Sequence, residues 1–186
     1  MENNTMNNLQ EIYATFAGDI EQQAVQRFFN AFATIKNNGV KKVNLLIQSG
    51  GGIISDGFAV YTFLKNLPID ISTYNCGFVG SIAIMIYLAG NKRYASNLSK
   101  FMIHKSTIQL INPMNIPDIK NRSEATEKDD DNIEKILKSK ITMPEDKWIE
   151  YHKSDLFIMP DEAIKFNLTH EILEFIPKPE LPLINI

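Results

Sequence analysis

Much that would mark a specialised class is missing from this sequence. Cys76 is the only cysteine, so no disulfide can close within the chain and a reducing, cytoplasmic setting is expected. The longest apolar run, Ile82 to Ala89, is far too short to cross a bilayer. The first ten residues, MENNTMNNLQ, lack a basic segment and an apolar stretch, so no signal peptide is expected. Neither sign of charge dominates: 19 Lys and Arg stand against 22 Asp and Glu, for a net charge of −3, and no long basic patch is found. Nucleic acid and membrane are therefore not expected partners. No zinc-ligand spacing occurs, and Asp129-Asp130-Asp131 lacks the spacing of a calcium loop, so a solvated helical face is expected there and no metal site. No G-x-G-x-x-G appears, and no Lys-Ser/Thr pair follows the one glycine cluster, so the chain carries no nucleotide site of its own.

The remainder reads as one soluble α/β domain, long enough at 186 residues to bury a sizeable core. Residues 1–10 are expected to be a flexible segment, 11–175 a single domain, and 176–186, with Pro177, Pro179 and Pro182, an extended tail. Ile12 to Phe16 reads as a strand, with Asp19 placed to cap the helix that follows. Apolar residues at Ala24, Val25, Phe28, Phe29, Phe32, Ala33 and Ile35 give that helix a broad buried face. Val43 to Ile47 is a strand covered on both faces, followed by Gln48-Ser49-Gly50-Gly51-Gly52 and a helix from about Ser55 to Asn66. Ile69 to Tyr74 alternates as a strand and leads into Gly77-Phe78-Val79-Gly80-Ser81. Ser81 is placed to cap a wholly apolar helix ended by Gly90. Short strands at Arg93–Ala95 and Phe101–Ile103 precede His104. A long charged helix occupies about 116–141, Pro144 opens another, Pro160–Phe166 forms a short one, and Leu168–Phe175 is a last strand. Strands alternating with helices argue a largely parallel sheet.

Four stretches hold residues suited to chemistry, each with an ordinary alternative. Ser81 is a cap or a nucleophile beside free backbone N–H groups. The three glycines are a flexible turn or a place where backbone comes close to a ligand. His104 at a strand end is a structural histidine or a base, and Asp155 is a turn residue or its partner. His152 reads as solvated, His170 as structural and Cys76 as a small buried residue.

Together, in order and spacing, these stretches resemble Clp protease proteolytic subunits, the ClpP family of crotonase-like serine peptidases. The family's N-S-P-G-G loop is matched by Gln48 to Gly52. Its G-x-A-x-S-M-[GA] turn is matched by Gly77 to Ala83, its M-I-H strand end by Met102-Ile103-His104, and its D-R-D-x-[FY] segment loosely by Lys153 to Phe157. The resemblance implies a spiral of β-β-α units with a protruding handle helix. It also implies a Ser81–His104–Asp155 triad, with oxyanion donors at the N–H groups of Gly52 and Ile82. An extended substrate would bind along Gly51, Ile53 and Ile54 on one side and Lys105 and Ser106 on the other. Heptameric rings, stacked in pairs, would work with a separate AAA+ unfoldase that uses ATP and delivers unfolded polypeptide, the subunit itself needing no cofactor. The segment after His104, Lys105-Ser106-Thr107-Ile108, departs from the family's H-Q-P, and Gly50 replaces the loop proline. A catalytically impaired ring subunit is the alternative. A Ser–Lys dyad using Lys92 or Lys105, and acyl-CoA chemistry on the same fold, are the other enzymatic readings.

Overall fold

The computed structural model describes residues 10–108 and 113–186, so the flexible segment expected over 1–10 lies, apart from Gln10, outside the described residues. Two sheets organise the described residues. The larger has six strands in the order β8-β5-β3-β2-β1-β9, every neighbouring pair parallel. Its centre is β1 (Glu11–Ala17), β2 (Lys42–Gln48) and β3 (Asp70–Asn75), with β5 (Lys92–Ala95) beside β3. The near-continuous apolar runs of β1 and β2 follow from helices covering the sheet. Helix α1 (Gln22–Asn37) buries Ala24, Phe28, Phe32 and Ile35, and Phe28 packs 4.8 Å from Phe16 of β1. Helix α2 (Ile54–Lys65) buries Gly57, Val60 and Leu64. Helix α3 (Ala83–Leu88) is buried on every side, as its lack of a polar face requires.

The smaller sheet holds β4 (Phe78–Gly80), β6 (Lys100–Ile103) and β7 (Leu156–Ile158) in the order β4-β6-β7. The step from β3 to the Ser81 turn therefore passes through a strand that the sequence pattern does not reveal, and β5 and β6, adjacent in sequence, belong to different sheets. The two sheets meet where Ser49 bridges Val79, through Ser49 N–H to Phe78 O at 3.0 Å and Gly80 N–H to Ser49 O at 2.9 Å.

Helix α4 (Ile116–Lys140) is the long charged helix. The Asn115 side chain caps it by accepting from Asp118 N–H at 2.9 Å. Only Ile133 and Leu137, near its C-terminal end, are buried. Helices α5 (Glu145–Tyr151) and α6 (Pro160–Lys165) flank β7.

Several local expectations change. Asp19 does not cap α1. Ile20 first forms a parallel bridge with Gly52, which keeps the chain extended up to a cap at Glu21. Pro144 stands at the cap of α5 rather than inside its first turn. The strand expected over Leu168–Phe175 shrinks to β8 (Glu171–Ile172), because Leu168 and Thr169 N–H both close onto Ala163 O at the end of α6. The proline-rich tail is extended but not loose. Its last residues form β9 (Leu183–Asn185), parallel to β1, with Tyr13 N–H donating to Pro182 O at 2.9 Å and Ile186 N–H to Thr15 O at 2.8 Å. The prolines precede this strand, so none has to donate to its ladder.

Candidate active site

The register of the small sheet brings three separated residues to one end. Gly80, last in β4, pairs with Met102, and Ile103, last in β6, pairs with Leu156, first in β7. Because β6 and β7 are antiparallel, the residue before β7 lies beside the residue after β6. Ser81, His104 and Asp155 thus all leave the sheet at the same edge.

Ser81 is not a helix cap. Its φ is +52°, in the left-handed region, and α3 begins at Ala83 with Ile82 as its cap. The Ser81 N–H donates to Met102 O at 2.8 Å, continuing the β4–β6 pairing one residue past the strand and turning the chain sharply there. A non-glycine residue in this region costs roughly 1–3 kcal/mol and persists only where its surroundings hold it. The β4–β6 pairing on one side and the buried α3 on the other do so. Ser81 Oγ stands 2.8 Å from His104 Nε2. On the far side of the ring, His104 Nδ1 is 3.6 Å from Asp155 Oδ1, longer than a hydrogen bond, and the Asp155 side chain is 58% exposed. A carboxylate on that side favours the tautomer with the proton on Nδ1, which leaves Nε2 free to accept from the serine hydroxyl.

The glycine loop closes over this turn. A Cβ on Gly51 would lie 2.5 Å from Ser81 Cβ, and Gly51 itself has φ +110°. Gly52, with φ +152°, runs against the Ile20 backbone, where a Cβ would collide with the Ile20 carbonyl oxygen. Only glycine fits either place. Ile20 N–H bonds Gly51 O and Ile53 N–H bonds Ile20 O, whereas the N–H groups of Gly52 and Ile82 have no protein acceptor among the described residues. Both residues line one cavity with Ser81 and His104. This arrangement offers a hydroxyl, a base to take its proton, and two unspent donors beside it. With six residues, α3 adds only a short helix dipole to those donors.

The segments expected to line an extended substrate are partly committed elsewhere. Ile53 N–H is spent on Ile20, and Ile54 is already the first residue of α2. Lys105 Nζ pairs with Glu134 Oε2 at 2.9 Å, and Ser106 donates through both N–H and Oγ to Asp130 Oδ1, at 3.0 and 2.6 Å. Asp130 is therefore no free solvated residue but a tether between α4 and the segment that follows His104. His152 is likewise bound, its Nε2 2.9 Å from Glu134 Oε2. Burial opposes ionisation of Glu134, but hydrogen bonds from Lys138, Lys105 and His152 outweigh it and hold the carboxyl down at about 2. Sequence spacing gave no sign of this cluster, since its members lie on three elements. His170 Nδ1 accepts from Arg93 N–H at 3.1 Å, a structural contact. Burial raises the Cys76 thiol, which disfavours the nucleophilic thiolate. Among the described residues no group of His, Cys, Asp and Glu could hold a metal ion, and no helix is long and apolar enough to cross a membrane.

Comparison with known proteins places this architecture. The Clp protease family model matches residues 2–175. The ATP-dependent Clp protease proteolytic subunit of Cyanophora paradoxa is 29% identical over 174 residues, covering 91% of this chain and 88% of that one. Proteolytic subunit 2 of Chlamydia muridarum is 30% identical over 135 residues, covering 72% and 66% of the two chains. The structure of a ClpP1 mutant from Listeria monocytogenes superimposes with a TM-score of 0.75 over 89% of this chain and 92% of that one, at 17% identity. The chain belongs to the Clp protease family and has the ClpP, crotonase-like fold. Its relatives are proteolytic subunits, so the class is hydrolase, and within it protease.

Proposed function

We propose that this chain is a serine endopeptidase subunit of a self-compartmentalised, ATP-dependent protease. The 2.8 Å contact between Ser81 Oγ and His104 Nε2, beside two unspent backbone donors, carries the proposal. Ser81 Oγ attacks the scissile carbonyl while His104 Nε2 takes its proton. The oxyanion forms against the N–H groups of Gly52 and Ile82, and His104 then protonates the leaving amine. Water, activated by the same imidazole, releases the acyl group. Asp155 orients the ring and stabilises the imidazolium. Its 3.6 Å separation tightens to a hydrogen bond once the imidazole becomes charged.

Assembly into stacked rings supplies the enclosing chamber. The exposed first half of α4 is the surface for ring-to-ring contact, and a separate AAA+ unfoldase delivers unfolded polypeptide and hydrolyses ATP. No cofactor is needed at the peptidase site.

A second reading, an impaired ring subunit that needs an active sister chain, is favoured by the 58% exposure of Asp155 and its long reach to His104. A fluorophosphonate probe separates the two. Labelling of assembled wild-type protein that Ser81→Ala abolishes supports the peptidase. An assembled wild type that takes no label supports the impaired subunit.

A further inference from the structure

The ladder between β6 and β7 ends at the pair Ile103 and Leu156, and His104 and Asp155 are the first residues beyond it. Chains leaving the end of a ladder fray apart unless something ties them. The Asp155 carboxylate accepts no hydrogen bond among the described residues, its approach to His104 Nδ1 being 3.6 Å, so its place is set by its backbone. That backbone leaves His152 in a tight turn, with Lys153 and Ser154 N–H both donating to Glu150 O at 2.9 Å. Asp155 therefore follows wherever His152 is held. Glu134 stands across the gap between the two chains. Its Oε2 accepts from Lys105 Nζ at 2.9 Å, on the residue after His104, and from His152 Nε2 at 2.9 Å, three residues before Asp155. A carboxylate only accepts, so His152 carries its proton on Nε2. Lys138 Nζ holds the other oxygen at 2.7 Å, and the Glu134 side chain is mostly buried. The flanking residues Ile133 and Leu137 are buried against the body, which fixes this stretch of α4. Charge-assisted bonds on a sheltered, anchored carboxylate keep their geometry better than an exposed pair.

We propose that Glu134 is a positioning residue for the triad: by clasping Lys105 and His152 on one oxygen, it sets the spacing between the His104 ring and the Asp155 carboxylate. Glu134 touches no reacting atom and acts only through these two arms. The His104 side has a second tie to α4, from Ser106 to Asp130. Among the described residues, the bond from Glu134 to His152 is the one side-chain hydrogen bond between α4 and the turn before Asp155. Loss of the clasp therefore displaces Asp155 more than His104. This role rests on the peptidase reading of the same site.

The test is fluorophosphonate labelling of the assembled full-length protein, with the maximal rate and the half-saturating probe concentration measured separately. In Glu134→Gln the maximal rate is expected to fall about tenfold to a hundredfold, as for a misplacement approaching 1 Å, with the half-saturating concentration within about twofold of wild type. His152→Ala, which cuts only the arm toward Asp155 at a half-exposed residue, is expected to reproduce that fall and serves if Glu134→Gln does not assemble. Lys138→Met takes a partner from the same carboxylate but leaves both arms, and is expected to label within about twofold of wild type. In an Asp155→Ala background, Glu134→Gln and His152→Ala are expected to cost nothing further, because no carboxylate remains to be placed. A merely structural role would slow both backgrounds alike, and that result overturns the positioning role. Labelling of His152→Ala at the wild-type rate overturns it too, as does a loss in Lys138→Met equal to that in Glu134→Gln; each of these leaves the peptidase standing. An assembled wild type that takes no label overturns the peptidase reading and this one with it.

Discussion

Two adjacent glycines should behave oppositely when given one carbon. In Gly51→Ala the new Cβ would lie 2.5 Å from Ser81 Cβ and 3.1 Å from both Ser81 Oγ and the Gly80 carbonyl oxygen. Carbon atoms pack at about 3.5–4.0 Å, so the loop and the serine turn must part by about 1 Å. Misplacing a reacting group by that distance costs on the order of 10²-fold in rate. If the loop yields instead, the Gly52 N–H leaves the oxyanion position, and losing one such donor costs about 10²–10³-fold. Stability suffers less. A φ of +110° strains alanine by about 1–3 kcal/mol, partly offset by about 0.4–1 kcal/mol of lost unfolded-state freedom. Gly51→Ala should therefore melt a few degrees lower and label with fluorophosphonate at least a hundredfold more slowly. In Gly50→Ala the Cβ meets only Phe78 Cε1, at 4.0 Å, and Gly50 is not among the positive-φ glycines. That variant should label within twofold of wild type and melt at the same temperature or slightly higher. Labelling of Gly51→Ala at the wild-type rate would refute the argument that the glycine loop and Ser81 are in contact.

Leu137 is fully buried where α4 meets the body, so Leu137→Ala should cost about 2–5 kcal/mol in chemical denaturation; a change below 1 kcal/mol would mean that α4 is not anchored there. Glu134, held at about 2, contributes stability that is complete above its ordinary value near 4.5 and is lost as the pH falls toward 2. Discounted for its exposed partners, this amounts to about 1–2 kcal/mol, and the Tm gap between wild type and Glu134→Gln should narrow below pH 4.5 and close near pH 2; a gap undiminished at pH 2 would contradict the cluster. Deleting residues 183–186 removes β9 and buried Ile186, which should lower stability by about 2 kcal/mol and make the protein aggregate through the bared edge of β1, read by light scattering. A truncated protein as soluble and stable as the full chain would show that the tail adds nothing to the sheet.

What the sequence disclosed depended on how local the cause was. Helix α1 announced itself because a 3.6-residue period over Ala24, Phe28, Phe32 and Ile35 reports burial directly. The parallel sheet followed from apolar runs between helices. Strand β4 was hidden, since Phe78, Val79 and Gly80 sit in what reads as a glycine-bracketed turn and become a strand only by pairing with β6. The left-handed Ser81 was hidden for the same reason, because the bond pulling it out of a capping geometry comes from Met102, twenty-one residues on. Prolines concealed β9, as they describe the approach to a strand and not its partner. At the site, family resemblance pointed to Ser81, His104 and the glycine loop. Tyr151 drew no reading, and Asp130 looked like part of a charged helical face. Only packing shows that one walls the cavity and the other holds Ser106.

The pairing of β9 with β1 also sets a clock. Thr15 and Ile184, neighbours across that edge, lie 169 residues apart along the chain. At about 5–20 residues per second of synthesis, β1 waits roughly 10–35 s between leaving the ribosome and meeting its outer partner. Through that interval the outer edge of β1 is bare, able to pair with any extended chain nearby. Because β9 is made so long after β1, a chain cut short before it is left with an open sheet. Incomplete copies are thus marked by their own exposed backbone before they can join an assembly.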